Sequence, residues 1–203
     1  MPSQSNLAYP LTFEPGEGFA YGVGIDWAGR AVERVNGNIR LGEYMQKHIW
    51  GPLGMTKTTF RLAEHEEVRN SMAKMTLRLP DGKLVPSPEP GWPREPVDDI
   101  GGGGAYSCVS DYIKVLISIL KNDGKLLKAK TVDTMFQPHL EDRSHLRGIM
   151  SFPEIYAGFS SGLPADKEFD WGLGGALALE DTPGQRSKGT LNWSGLPNLN
   201  WVC

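Results

Sequence analysis

The sequence is short of cysteine: Cys108 in mid-chain and Cys203 at the last position are the two among 203 residues. Two are too few for a disulfide framework and have no metal-ligand spacing, so a reducing compartment, the cytoplasm, is expected. No run of 18 apolar residues occurs, and MPSQSNLAYPLTFEPGEGF at the start has neither a basic n-region nor an apolar h-region. Neither a membrane span nor a signal peptide is therefore expected. Basic charge is also lacking, since 21 Lys and Arg stand against 24 Asp and Glu for a formal net charge of -3. Nothing is left over to neutralise phosphates, which argues against a nucleic-acid or anionic-membrane partner and for a small molecule.

What is present is an ordinary globular composition, 39% hydrophobic and 22% charged, with the length of a single domain. The 25 Gly and 15 Pro are about a fifth of the chain against a usual roughly 12%. They cluster without a collagen-like period, so many turns and loops surround the scaffold.

Residues 1–19, with Pro2, Pro10, Pro15, Gly16 and Gly18, form an irregular lead-in. From Ile25, small or apolar residues recur at Ala28, Val32 and Val35, which predicts an amphipathic helix stopped by Gly37. A second helix is expected over 41–49, broken by Gly51-Pro52. SMAKMTLRL alternates and is followed by Asp81-Gly82 and KLV, a hairpin signal. Residues 86–104 hold Pro86, Pro88, Pro90, Pro93 and Pro96 and then Gly101 to Gly104, which excludes regular structure; a loop this long is more often functional than idle. Ser110 is expected to cap a helix whose Tyr112, Val115, Leu116, Ile119 and Leu120 share a face, with Gly124 past its end. A short helix over 131–136 stops at Pro138, and 138–168 read as irregular. WGLGGALALE, a turn at Pro183-Gly184 and GTLNW read as an antiparallel hairpin. Helices followed by antiparallel strands make the fold class α+β.

Two segments can carry chemistry. Tyr21 in GFAYGVGIDW is either a packing aromatic with a satisfied hydroxyl or a general base, a phenol that accepts a proton when neighbouring donors stabilise the phenolate. In GTLNWSGLPN, glycines at a strand edge are either structural or leave backbone N–H groups free to bind a developing oxyanion.

These segments and what lies between them resemble the β-lactamase-related serine hydrolases of the class C type, including the family VIII carboxylesterases and the fungal transesterases. The resemblance rests on PGEGFAYGVGIDWAGRAVERVNG, LGEYMQKHIWGPLGMTKTTF, GGGGAYSCVSDYIKVLISILKNDGKLL, and WGLGGALALE with GTLNWSGLPNLNW, four segments in the family's order across 13–201. It implies a β-lactamase/transpeptidase-like fold, an antiparallel sheet flanked by helices, of which residues 1–203 are a partial domain. It also implies acyl transfer through a serine ester, without a cofactor or metal: a serine of an S-x-x-K motif is acylated, and the acyl group passes to water or to an alcohol. The implied partners are a small-molecule ester or thioester donor, an alcohol acceptor and, in secondary metabolism, an acyl carrier or polyketide synthase.

By this resemblance Tyr21 is the catalytic tyrosine. Val23 stands where the motif often has Asn, which argues against efficient β-lactam hydrolysis. Trp193-Ser194-Gly195 occupies the family's K-T-G position, the Leu196 N–H is the oxyanion donor, and Trp193 walls the acyl pocket. Ser107 matches a serine that fixes a loop beside the cleft.

The family's S-x-x-K lies upstream of the tyrosine, and no lysine precedes Tyr21 here. The resemblance therefore implies that the nucleophile segment is missing at the N-terminus, and a helix after the W-S-G strand at the C-terminus. Ser71-Met72-Ala73-Lys74 spells the motif after the tyrosine, in a segment expected to be a strand, where residues three apart point to opposite faces. His48, His65, His139 and His145 are scattered and supply no paired base. The alternative to an acyl-transfer enzyme is a catalytically inactive paralogue that acts as a binding protein, or a fragmentary gene product.

Overall fold

The computed structural model describes residues 10–87, 97–160, 162, 164, 166–195 and 199–203. The chain divides into two compact units, one built mainly from Tyr21–Ile117 and the other from Phe13–Ala20 with Ser118–Cys203.

In the first unit, helix α1 (Gly24–Val35) starts and stops as expected, with Gly37 beyond it at φ +82°. Its buried side is not the apolar one. Ile25 and Val35 are exposed, Val32 is half-buried, and the buried positions are Gly29 and Glu33. The reason is steric and electrostatic. A Cβ on Gly29 would come within 2.9 Å of Leu41 Cδ2, so only glycine allows this approach, while Glu33 accepts the Leu41 N–H at 2.7 Å and pairs with Arg30. Helix α2 (Leu41–Met45) runs on through a π-helical turn, Gln46–Trp50, to Gly51-Pro52. Leu41, Trp50, Met55 and Phe60 form the core, with Val32, Met45, Ile49, Leu53 and Val115 packed around them.

A short helix α3 (Glu66–Asn70), not evident in the sequence, precedes a hairpin of β1 (Thr76–Arg78) and β2 (Leu84–Pro86). The pairing is antiparallel in the register Leu77↔Val85, and Gly82 turns it at φ +84°. Of the 86–104 loop, residues 88–96 lie outside the described residues. Helix α4 (Val109–Lys121) begins one residue before Ser110, so Ser110 is not its cap; the Cys108 carbonyl accepts the Asp111 and Tyr112 N–H groups instead. Its inward side carries Asp111, Val115, Leu116, Ser118 and Ile119, whereas Tyr112 and Leu120 are exposed.

The second unit holds α5 (Ala129–Met135), α6 (Ser144–Met150) and α7 (Pro153–Ser160). The last two replace the irregular stretch expected over 138–168. Gly148, Pro153 and Gly158 suggest breaks, but Pro153 occupies the first helical position, where its missing N–H costs nothing. Among the described residues β3 (Phe169–Trp171), β4 (Ala176–Ala178), β5 (Leu191–Gly195) and β6 (Leu199–Val202) form one antiparallel sheet in that order. The expected terminal hairpin is its β4–β5 pair, and Gly184, at φ +75°, lies in the turn between those strands. Tyr156, Phe169, Ala176 and Ala178 make this unit's core, with Met150 and Trp171 against it.

Asp111, 3% exposed, ties α4 to the Lys57–Thr58 segment: its carboxylate accepts the Lys57 N–H at 2.7 Å, the Thr58 hydroxyl at 3.0 Å and Lys114 Nζ at 3.1 Å. Burial pushes its carboxyl up, but these donors outweigh burial and hold it below the ordinary range. A depressed carboxylate stabilises the fold above its unfolded value, about 3.9, and that contribution vanishes as pH falls through the folded value. Asp111→Asn should cost about 1–3 kcal/mol near neutrality and flatten the acid limb of a urea-midpoint-versus-pH curve. An unchanged acid limb contradicts this assignment.

Candidate active site

Tyr21 lies one residue before Gly22 and two before Val23, the residue that caps α1 and whose carbonyl accepts the Asp26 and Trp27 N–H groups. Tyr21 is 68% exposed. A Cβ on Gly22 or Gly24 would meet no described atom within 4 Å, so the backbone just after the tyrosine is open to approach.

The helix that follows Tyr21 is pinned by the Gly-rich segment. Gly102 donates its N–H to Asp26 Oδ1 at 2.7 Å, and a Cβ on Gly101 would sit 2.3 Å from the Ile25 carbonyl oxygen. Asp98 pairs with Arg30 at 2.7 Å, and Asp99 pairs with Arg61 at 2.6 Å while accepting the Gly42 N–H at 2.9 Å. The ion pair with Asp98 and the pairing with Glu33 together keep the Arg30 guanidinium above its ordinary value despite burial. The glycine run thus has a packing reason, backbone lying against backbone at the first turn of α1. Ser107 Oγ is 2.8 Å from Thr58 Oγ1, and because Thr58 donates to Asp111 the Ser107 hydroxyl is the donor to Thr58. Beside it, Thr59 and Tyr106 form an antiparallel bridge.

In the second unit, Trp193, Ser194 and Gly195 form the far half of β5. The ladder to β4 ends at Ala176↔Asn192, while that to β6 continues through Trp193↔Trp201, Ser194↔Asn200 and Gly195↔Leu199. The W-S-G half is therefore paired on one side and has no strand partner on the β4 side among the described residues. Leu196, the expected oxyanion donor, lies outside the described residues. The Trp193 indole, half-buried, meets Phe159 edge-on at 4.9 Å (84°) and Trp171 at 5.4 Å (73°). Phe19 reaches Trp171 at 5.3 Å. Tyr21 belongs to the first unit and the W-S-G strand to the second, and the geometry of each is its own.

Ser71-Met72-Ala73-Lys74 is not in a strand: Ser71 ends α3, with its hydroxyl on the Val68 carbonyl at 3.1 Å, and β1 begins only at Thr76. All four residues are exposed. Among the described residues no group of three or more His, Cys, Asp or Glu is placed to hold a metal ion, and no helix is long and apolar enough to cross a membrane. Neither cysteine is in a disulfide.

The Beta-lactamase family profile matches residues 6–202. The chain belongs to the β-lactamase family. Within that family it is 39% identical over 204 residues to monacolin J acid methylbutanoyltransferase of Aspergillus terreus, covering 98% of this chain and 49% of that protein. It is also 39% identical over 199 residues to lovastatin esterase of Penicillium rubens, covering 96% of this chain and 49% of the esterase. The unliganded structure of simvastatin synthase (LovD) from Aspergillus terreus superposes with a TM-score of 0.86 at 38% identity, over 98% of this chain and 49% of that one. The fold is thus of the β-lactamase/transpeptidase type, α+β as expected, and this β-lactamase-family chain spans about half the length of the relatives it matches.

Sequence reasoning missed the residues that brace these segments, Asp26, Asp99, Arg186 and Asn192. The available signal was a polar residue, Asn192, between apolar neighbours in a strand. Gly101→Ala should lower thermal stability by about 1–3 kcal/mol and speed amide exchange in the first turn of α1, whereas Gly22→Ala and Gly24→Ala should be nearly neutral. Equal losses at all three positions contradict the packing argument.

Proposed function

We propose that these residues serve acyl transfer through a serine ester on a small metabolite, as part of one β-lactamase-related domain. The observation that carries this reading is the family match running through both the tyrosine turn and the W-S-G strand, with relatives named as a methylbutanoyltransferase and a lovastatin esterase.

In this reading Tyr21, as phenolate, takes the proton from the nucleophilic serine while that oxygen attacks the donor carbonyl. The Leu196 N–H holds the tetrahedral oxyanion, and Trp193 walls the acyl group. Collapse breaks the donor's C–O or C–S bond, and the tyrosine proton passes to the leaving alcohol or thiol. In the second half Tyr21 takes the proton of the acceptor, water or an alcohol, as the acceptor oxygen attacks the acyl-enzyme; collapse then breaks the acyl–serine bond and the tyrosine proton returns to the serine oxygen. In this reading the serine and its lysine are not Ser71 and Lys74, which lie exposed at and just after the end of α3. The donor is an ester or thioester, free or presented on an acyl carrier of a polyketide synthase. Two half-buried cysteines, neither in a disulfide, suit the cytoplasm.

The test is turnover of a short-chain p-nitrophenyl ester and of an acyl thioester by the protein that carries these residues. Tyr21→Phe should lower kcat by about 10²–10⁴-fold and Ser71→Ala should leave it unchanged. Loss of activity in Ser71→Ala with Tyr21→Phe intact overturns the reading. Acyl-ligand binding without turnover supports the inactive binding protein instead.

A further inference from the structure

We propose that Asn192, locked by Arg186, is the positioning residue that fixes the Trp193 indole against Phe159; its bearing on the acyl group rests on the reading of β5 as the acyl-binding strand. The argument begins with an anomaly of composition. Asparagine is depleted from strands and costly to bury unpaired, yet Asn192 stands in β5 at 0% exposure between Leu191 and Trp193.

Its partners explain it. Helix α7 ends at Ser160, and the last carbonyls of a helix have no partner within it. Asn192 Nδ2 donates to the Phe159 carbonyl at 2.9 Å, and Arg186 Nη1 donates to the Ser160 carbonyl at 3.1 Å. The same Arg186 nitrogen donates to Asn192 Oδ1 at 3.0 Å, which sets the carboxamide with its NH₂ toward the helix. A cation at a helix C-terminus is also favoured by the helix dipole. Burial of Arg186 lowers its guanidinium from the ordinary value, consistent with a partly desolvated site where such bonds are strong.

The clamp fixes one backbone atom of the residue whose ring meets Trp193 edge-on at 4.9 Å, and it acts from the residue next to Trp193 in the strand. Two sides of one aromatic contact are thereby tied by a single carboxamide. An indole held this way presents a wall of fixed shape, and a wall of fixed shape discriminates between acyl chains where a mobile one accommodates them.

The experiment uses the 203-residue chain with Asn192→Asp, which keeps the size and the acceptor for Arg186 but removes the donor to Phe159. The first readout is the exciton couplet of the Trp171–Trp193 pair in circular dichroism, assigned with Trp171→Phe. The second is binding of S-butyryl-N-acetylcysteamine, a small acyl thioester, by tryptophan fluorescence. Loss of the couplet and about tenfold weaker binding in a variant that still unfolds cooperatively support the inference. An unchanged couplet in a folded variant overturns it. A lost couplet with unchanged binding overturns its connection to the acyl group. No binding by the unaltered chain, with the couplet lost in Asn192→Asp, leaves the positioning role standing and counts against the acyl-transfer reading. If Asn192→Asp does not fold, Arg186→Lys, which shortens the donor reaching Ser160, is judged by the same readouts.

Discussion

A polar group buried without a hydrogen bond costs several kcal/mol, and both units meet this constraint at Glu33, Asp99, Asp111, Asp170 and Asn192 by giving the buried acid or amide to the backbone of another segment. Glu33 takes the Leu41 N–H, Asp99 that of Gly42, Asp111 that of Lys57, and Asp170 those of His139, Leu140 and Trp171. Asn192 does the converse for the Phe159 carbonyl. The pattern follows from composition. A chain rich in Gly and Pro has many backbone N–H groups outside helices and strands, and its buried apolar clusters are small. Side-chain acceptors therefore do in the loops what ladders do in sheets.

That constraint also shapes the segments proposed to carry chemistry. Tyr21 is exposed and leads into a helix whose first turns are gripped by Asp26 and by the ion pair of Arg30 with Asp98, so an accessible phenol rests on an immobile base. The β4 ladder ends at Asn192 while the W-S-G half of β5 keeps its β6 pairing, so among the described residues that half has a strand partner on its β6 side alone. The oxyanion role proposed for this segment calls for a backbone that its neighbours hold in place.

The sequence reading recovered whatever local chemistry decides. The Asp81-Gly82 turn, the Gly37 and Gly124 stops and the β4–β5 pairing depend on neighbouring residues alone. It failed where tertiary contacts override the local signal. The face of α1 was misread because a close approach at Gly29 and the bonding of Glu33 outrank the apolar stripe. Helices α6 and α7 were hidden because their glycines and Pro153 resemble breaks. Ser71–Lys74 matched a motif in letters but ends a five-residue helix and faces solvent. Of the candidate site, Tyr21 and Trp193 to Leu196 were assigned by resemblance alone. The side chains that brace them were not legible, since Asp26 and Gly102 are 76 residues apart and Asn192 and Phe159 are 33 apart.

The acyl-transfer reading requires the W-S-G strand to meet the acyl group through one backbone N–H and one indole. An NMR titration of the isotopically labelled chain with a small acyl thioester tests this directly. The account predicts that the Leu196 amide and the Trp193 indole signals shift together, with one common affinity. Shifts that leave both untouched and gather around Ser71 and Lys74 would contradict it.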